Sequence, residues 1–347
     1  MLYVSYDEAV RAMERGLLRY LPEEEARRFA EIFAGNSLDG VLSHGMNRYP
    51  RYLSDMEKGL CDPRVTRAER VSGFGALEVW DAHFGVGPLI ADQMAARAAE
   101  LAGAHGIACV SLRNNSHWLR AGRYALAIAD RGMVGICLTN TCMNLAAWGT
   151  LEPSTGNNPI AMGIPRSKGS LVMDMAVSQY AYGKLELMAQ QGKMLDTPCG
   201  YDCEGRETCD PAQIIQSGRM MPMAMWKGSA LSIMTDLIAS SLSLGRTSRM
   251  IGATAAGEKG MSQVFIAIHP ASVVDMRAVE AQMEETIAFL HSLPPHDGHS
   301  VRVPGENLAQ IRARGLEQGI PVAEETWSQI LSAACRKSPP AASFSEC

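Results

Sequence analysis

Apolar positions near the start of the chain recur at helical spacing. Val10, Met13, Leu17 and Leu18 share one face of a segment over residues 5–20, which Ser5 or Asp7 can cap. Pro22 suits the first turn of a second helix, with Glu23, Glu24 and Glu25 at its positive end and Ala30, Ile32 and Phe33 on its apolar side. Asn36 to Gly40 break that helix, and the pattern predicts another through Arg48 and Leu53. The period then changes. Residues 67–81 alternate about Gly73-Phe74-Gly75, as a hairpin does. An Ala-rich helix to about Gly103 precedes apolar strands at Ile107–Leu112, 133–140 and 171–176, a short strand after Pro159, and a half-exposed strand at 261–269. Helical patterns cover 118–131, 178–191, a stretch from Trp226 or Lys227, 276–290, a stretch from 304, and 321–335. Residues 193–222 are rich in glycine and proline and read as irregular. Glycines 252, 257 and 260 mark a mobile loop, and the Pro-rich end from 336 reads as a disordered tail.

Composition narrows the class. The 347 residues are 47% hydrophobic and 20% charged, ordinary for a globular protein with a sizeable core. A net charge of −5 without blocks of basic residues argues against nucleic acid as a partner. No apolar run is long enough for a bilayer, and the first residues lack the basic and apolar regions of a signal peptide, so a cytoplasmic protein is expected. Nine cysteines, an odd number, do not suggest a disulfide framework. Cys199, Cys203 and Cys209 cluster, but without the fourth ligand that structural zinc usually takes, so no metal is assigned. No internal repeat, Walker loop or G-x-G-x-x-G in a strand-to-helix setting is present, so spacing alone assigns no nucleotide site.

Candidate chemistry concentrates in V-L-S-H-G-M-N-R-Y-P-R-Y at 41–52. It brings Ser43, His44, Asn47, Arg48 and Arg51 into one short run. Histidine exchanges protons near neutral pH, and arginine holds a carboxylate through paired hydrogen bonds. A proton carrier beside a carboxylate anchor is what reduction of a 2-oxo acid requires. His117 follows a strand end, with Asn114, Asn115, Ser116 and Arg120 around it. Asp174 interrupts an apolar strand. It either faces solvent or has a specific partner, such as a histidine. Lys227 beside Gly228 at a helix start is a candidate anion site.

In order along the chain, S-H-G-M-N-R, N-S-H-W-L-R-A-G-R-Y, G-N-N-P-I-A-M-G-I-P, V-M-D-M-A-V-S-Q-Y-A-Y-G-K-L-E and M-W-K-G-S resemble the type-2 malate/L-lactate dehydrogenase family, also called sulfolactate-dehydrogenase-like. The resemblance runs from about residue 1 to 335. It implies a non-Rossmann NAD(P)-binding α/β fold, a mixed sheet flanked by helices. It implies a helical domain from residues 1–65 and 300–335, a substrate and dimerisation region at 66–140, and a cofactor region at 141–299. It further implies a homodimer with sites partly built by both subunits. The activity implied is NADH-dependent reduction (NADPH as the alternative) of the ketone of a 2-oxo sugar acid. Malate, lactate, sulfolactate, ureidoglycolate or a cyclic imino acid are alternative substrates. The alternative of another class is a non-catalytic binding protein on the same scaffold, against which intact His44, Arg48 and His117 argue.

By the same resemblance His44 is the proton donor and His117 has a catalytic or substrate role; the physical reading beside it has Asp174 orienting a histidine. Ser43, Asn47, Arg48, Arg51 and Asn115 are expected to bind substrate. Val172, Met173, Asp174, Met175, Ala176, Val177, Ser178, Trp226, Lys227, Gly305, Glu306 and Asn307 are expected to hold the cofactor. Two departures stand out: Asn157 occupies a threonine position, and Glu306-Asn307 replaces His-Glu.

Overall fold

A computed structural model describes residues 1–251, 258–296 and 298–336. Gly252, Gly257 and the tail from 337 lie outside the described residues. The chain opens with β1 (Leu2–Val4), α1 (Tyr6–Leu17), α2 (Glu23–Leu38) and α3 (Tyr49–Glu57). The hairpin β2 (Glu69–Phe74) and β3 (Leu77–Asp81) leads to α4 (Gly87–His105), β4 (Ile107–Asn115), α5 (Ala121–Ala129) and β5 (Val134–Thr139). Next come β6 (Leu145–Ala146), β7 (Pro153–Thr155), β8 (Ile160–Ile164), β9 (Leu171–Met175) and α6 (Tyr182–Gln190). The irregular stretch holds β10 (Gly200–Tyr201), β11 (Glu207–Thr208) and α7 (Pro211–Ser217). The remainder is α8 (Trp226–Ser243), α9 (Ser248–Ile251), β12 (Met261–Ile268), α10 (Met276–Ser292), α11 (Leu308–Gln318), β13 (Ile320–Val322) and α12 (Glu324–Cys335).

Seven strands form one sheet in the order β2-β3-β4-β12-β5-β8-β9. Only β3 and β4 run parallel; the other neighbours are antiparallel. This is not the parallel sheet of a Rossmann domain, and it takes strands from both sides of the 140/141 division. Adjacent residues of β12 point to opposite faces, as the pleat requires. Phe265 packs with Val110, Leu112 and the alanines of α4, whereas Val264 packs with Leu138, Ile160 and Ala239 of α8. Small residues bring α5 close. A Cβ at Gly163 would lie 2.3 Å from the Ala125 carbonyl oxygen, so the helix rests on the strand backbone. Among the described residues no helix is long and apolar enough to cross a membrane.

The two ends of the chain share a second core. Phe29, Phe33, Tyr49 and Tyr52 interlock mostly edge to face, and Trp327 and Ile330 of α12 close over the same cluster. β1 pairs antiparallel with β13, Leu2 opposite Val322. Each strand has only three residues, too few to show a period.

Four boundaries differ from expectation near the cleft, one of them the start of α6 at Tyr182 rather than at 178. In place of a helix start at 44, two 3₁₀ turns, Leu42–His44 and Met46–Arg48, precede α3. Gly45 between them has no room for a side chain, since a Cβ there would fall 2.0 Å from Ser37 Oγ. α5 begins at Ala121 rather than Trp118, because Leu119 is left-handed at φ 68°. α11 begins at Leu308, after a turn in which Gly305 has φ 83°.

Candidate active site

A cleft of about 850 Å³ lies between the core formed by the two chain ends and the edge of the sheet. His44, Arg48 and Arg51 enter from the turns after α2 and the start of α3, and His117 and Arg120 from the β4–α5 connection. Thr141, Cys142 and Asn157 come from the segments after β5 and before β8. Asp174 comes from β9, and Gly305–Asn307 from the turn before α11.

The loop bearing His44 is held from beneath by α2. Asn36 donates its amide to the His44 carbonyl at 2.9 Å, and Ser37 Oγ accepts the Met46 N–H at 2.8 Å. Both side chains are buried, so their polar atoms need partners and the loop supplies them. The His44 and His117 rings stack nearly parallel, 5.8 Å between centroids and 16° between planes. Ser43 Oγ lies 3.1 Å from His44 Nδ1. His117 Nδ1 accepts the Leu119 N–H at 3.0 Å, which leaves Nε2 to carry the proton of the neutral ring.

Charge in the cleft opposes protonation of both rings. Burial, then Arg48 and Arg120, lowers His44 to about 4. Burial, with Arg48 and His44, lowers His117 well below the ordinary histidine value. Arg48 is itself pushed down by burial and by Arg51. Its Nε is sealed from solvent without a partner among the described residues, and its Nη2 stands 4.0 Å from Glu258. An incompletely bonded guanidinium beside two histidines is poised for an anion.

Asp39 is the hub of a second charged group. Its carboxylate accepts from Arg120 on one oxygen and from Arg312 of α11 on the other. Arg120 Nε also stands 3.5 Å from Asp174. Asp174 accepts the Gly122 N–H at 2.8 Å, and burial raises its carboxyl despite Gly122 and Arg120.

Of the expected substrate residues, Ser43, Arg48 and Arg51 line the cleft, and Asn47 and Asn115 do not. Asn47 is exposed outside it. Asn115 is fully buried, donating to Gln263 at 2.8 Å and to the Gly87 carbonyl at 3.3 Å, because the strand pleat turns it inward. Asp174 has no histidine partner among the described residues; its carboxylate holds Gly122 and Arg120 instead. Of the expected cofactor residues, Val172, Asp174, Met175, Ala176, Gly305, Glu306 and Asn307 line the cleft. Met173 packs behind the sheet edge, and Val177 and Ser178 are buried just past it. Trp226 and Lys227 begin α8, exposed and outside the cleft of this chain. They adjoin the end of β9 through the Met223 N–H, which donates to the Val177 carbonyl at 2.9 Å. Among the described residues no group of three or more His, Cys, Asp or Glu can hold a metal. The sequence reading missed Asp39, Tyr182, Glu186, Glu258 and Arg302 at the cleft. Tyr182 and Glu186 stand inside a quoted motif, and that position is their one signal.

Residues 4–331 match the family model described as malate/L-lactate dehydrogenase. The chain belongs to the malate/L-lactate dehydrogenase family. It is 37% identical over 331 residues to the 2,3-diketo-L-gulonate reductase of Mannheimia succiniciproducens, covering 95% of this chain and 99% of the relative. The reductase of the same name from Haemophilus influenzae is 36% identical over 329 residues, 94% and 98% of the two chains. Among solved structures, Δ1-piperideine-2-carboxylate reductase from Pseudomonas syringae is 26% identical at a TM-score of 0.86, covering 96% of this chain and all of the other. Malate dehydrogenase from Pyrococcus horikoshii is 25% identical at a TM-score of 0.87, covering 97% of each. The mixed-sheet α/β fold expected from the motifs is the fold of this family, and the protein is an oxidoreductase of 2-oxo and 2-hydroxy acids.

Proposed function

We propose that this protein is an NADH-dependent reductase converting 2,3-diketo-L-gulonate to 3-dehydro-L-gulonate. One observation carries the reading: His44 shares a cleft with an Arg48 guanidinium whose Nε lacks a partner. The 37% identity to reductases of that name supports the choice of substrate.

The cleft fits a nicotinamide cofactor along the wall where β9 meets the turn before α11. A Cβ at Gly305 would lie 2.7 Å from the Val172 nitrogen, so the turn lies directly on the strand and presents Glu306 and Asn307 beside Asp174. Val172, Asp174, Met175 and Ala176 with Gly305 to Asn307 would hold the cofactor, and Trp226 and Lys227, outside this cleft, would reach it only in a dimer or along a long cofactor. When bound, the reduced nicotinamide supplies a hydride to the carbonyl carbon. Arg48 and Arg51 take the substrate carboxylate, which fixes the carbon presented. Burial first, then Arg48 and Arg120, keeps His44 neutral, and the carboxylate offsets the charge part of that. His44 is then protonated and gives its proton to the carbonyl oxygen as charge develops there, a contribution of roughly 10²–10⁴-fold. Ser43 occupies Nδ1, so Nε2 is the donating atom. His117 offers its Nε2 hydrogen to the same substrate. Arg120 and Asp174 fix the β4–α5 connection that carries His117.

The protein acts as a homodimer. Trp226, Met234, Leu237 and Leu242 leave an apolar face of α8 exposed, more than a lone surface residue would explain. None of the eight cysteines among the described residues is in a disulfide, in keeping with a cytoplasmic setting. Sedimentation of the purified protein tests the dimer, and a monomer at micromolar concentration would contradict it.

The activity test is consumption of NADH, and separately of NADPH, by purified protein with diketogulonate. A rate equal to that without substrate overturns the proposal. Malate, lactate, sulfolactate, ureidoglycolate and cyclic imino acids, assayed in the oxidative or reductive direction as their oxidation state requires, separate the alternative substrates.

A further inference from the structure

We propose that Glu258 and Glu186 set the substrate class: a 2-oxo acid with one carboxylate and a hydroxyl-bearing chain, to the exclusion of dicarboxylates. This rests on the reading of the cleft as a 2-oxo-acid reductase.

Glu258 reaches the cleft from just before β12. One oxygen accepts the Cys142 backbone N–H at 3.3 Å, and the other faces Arg48 Nη2 at 4.0 Å. Both side chains are largely buried, 17% and 16% exposed. Groups of opposite charge this sheltered normally close into a hydrogen-bonded pair, because a partial contact leaves desolvated charge unsatisfied. Here the pair stays open at 4.0 Å, and Arg48 Nε has no partner among the described residues. The gap suits a ligand that gives an acceptor to the arginine and a donor to the glutamate. A carboxylate is the first, and a hydroxyl further along the same molecule is the second.

Glu186 and Tyr182 of α6 line the same cleft, and Glu186 is close enough to act electrostatically on Arg48. Within the cleft, Arg48 therefore answers to two carboxylates of the protein, Glu258 and Glu186. One ligand carboxylate can displace Glu258 from Arg48 by geometry. A second would meet glutamate rather than free arginine. Like charges brought together in a sheltered site cost orders of magnitude in affinity, whereas a hydroxyl donating to a carboxylate is a strong hydrogen bond. The two glutamates thus recognise a polyol tail and reject a terminal acid, attraction and repulsion acting through the same atoms.

The test compares kcat/KM at fixed NADH for 2,3-diketo-L-gulonate and 2-keto-L-gulonate with that for oxaloacetate. The native protein should prefer the better of the two hydroxylated acids by roughly 100-fold or more. Glu258→Gln keeps the shape and removes the charge. It should lower that ratio roughly tenfold, oxaloacetate gaining while the sugar acids lose. Glu186→Gln should move it in the same direction by less. The Kd for NADH, read from its fluorescence, should be unchanged in both variants. An unchanged ratio in both variants overturns the inference, as does native protein that reduces oxaloacetate as well as the sugar acids. If Glu258→Gln loses NADH binding, Glu186→Gln, at an exposed position, carries the decision. No NADH consumption with any 2-oxo acid would instead overturn the proposed function, and this inference with it.

Discussion

The loop around His44 and the loop around His117 hold the same side chain in one cleft but prepare it differently. His117 is built in. It follows Asn114 and precedes Leu119, both left-handed, at φ 54° and 68°, and its Nδ1 is committed to the Leu119 amide. Its protonation state is fixed by the fold. His44 sits on a turn gripped from behind, at its carbonyl and at the amide of Met46, while its ring meets a serine hydroxyl and the stacked partner and has no backbone amide fixed on it among the described residues. Its backbone is rigid and its protonation is free to respond to a ligand. A proton donor needs both properties. A fixed hydrogen-bonding group needs only the first.

The comparison can be broken most easily by exchanging the two roles. His44→Ala should lower kcat about 10³-fold with little change in the Kd for NADH, measured by steady-state kinetics and fluorescence titration. A loss below tenfold would remove His44 from the chemistry. Next in size is Asp39→Asn, which leaves Arg120 and Arg312 without their shared counter-charge. Denaturant unfolding should show a loss of about 3 kcal/mol, typical of breaking a buried ion pair.

The pH dependence of stability sharpens the account of His44. Its value of about 4 in the folded protein lies below the unfolded 6.5, so between these limits the unfolded chain binds the extra proton. This contribution to stability is full above pH 6.5 and is lost as pH falls toward 4, by at most about 3 kcal/mol. Asp174, with its raised value, acts in the opposite direction, so the comparison must be with His44→Asn. The stability difference between native protein and variant should shift in favour of the variant on acidification, as read by urea unfolding across that range. The smallest effect belongs to His117→Asn. Replacing a group that only donates a hydrogen bond should lower kcat/KM about tenfold without shifting the pH profile of the reaction.

What the chain reveals before folding follows sequence distance. Ser43, His44, Arg48 and Arg51 are neighbours in sequence and in space, so their chemistry is legible as a run. Asp39 reads only as part of a helix break, because Arg312 lies 273 positions away. Glu258 meets Cys142 across 116 positions and carries no local signal. Asn115 shows the opposite error: its motif neighbours reach the cleft, but the period-two pleat of β4 turns it into the core. The helices and the main strands are legible because burial of one face imposes a period over many residues. The three-residue pair β1 and β13 is too short to show one. Trp226 and Lys227, taken from the resemblance, stand outside this chain's own cleft, where a dimer or a long cofactor would have to bring them into use.

The most direct test is a crystal structure with NADH and an unreactive acid such as oxalate or tartrate. The account predicts His44 Nε2 within hydrogen-bonding distance of the ligand oxygen that replaces the ketone, and a ligand carboxylate on Arg48. An oxygen bound by His117 alone, with His44 turned from both ligand and nicotinamide, would contradict it.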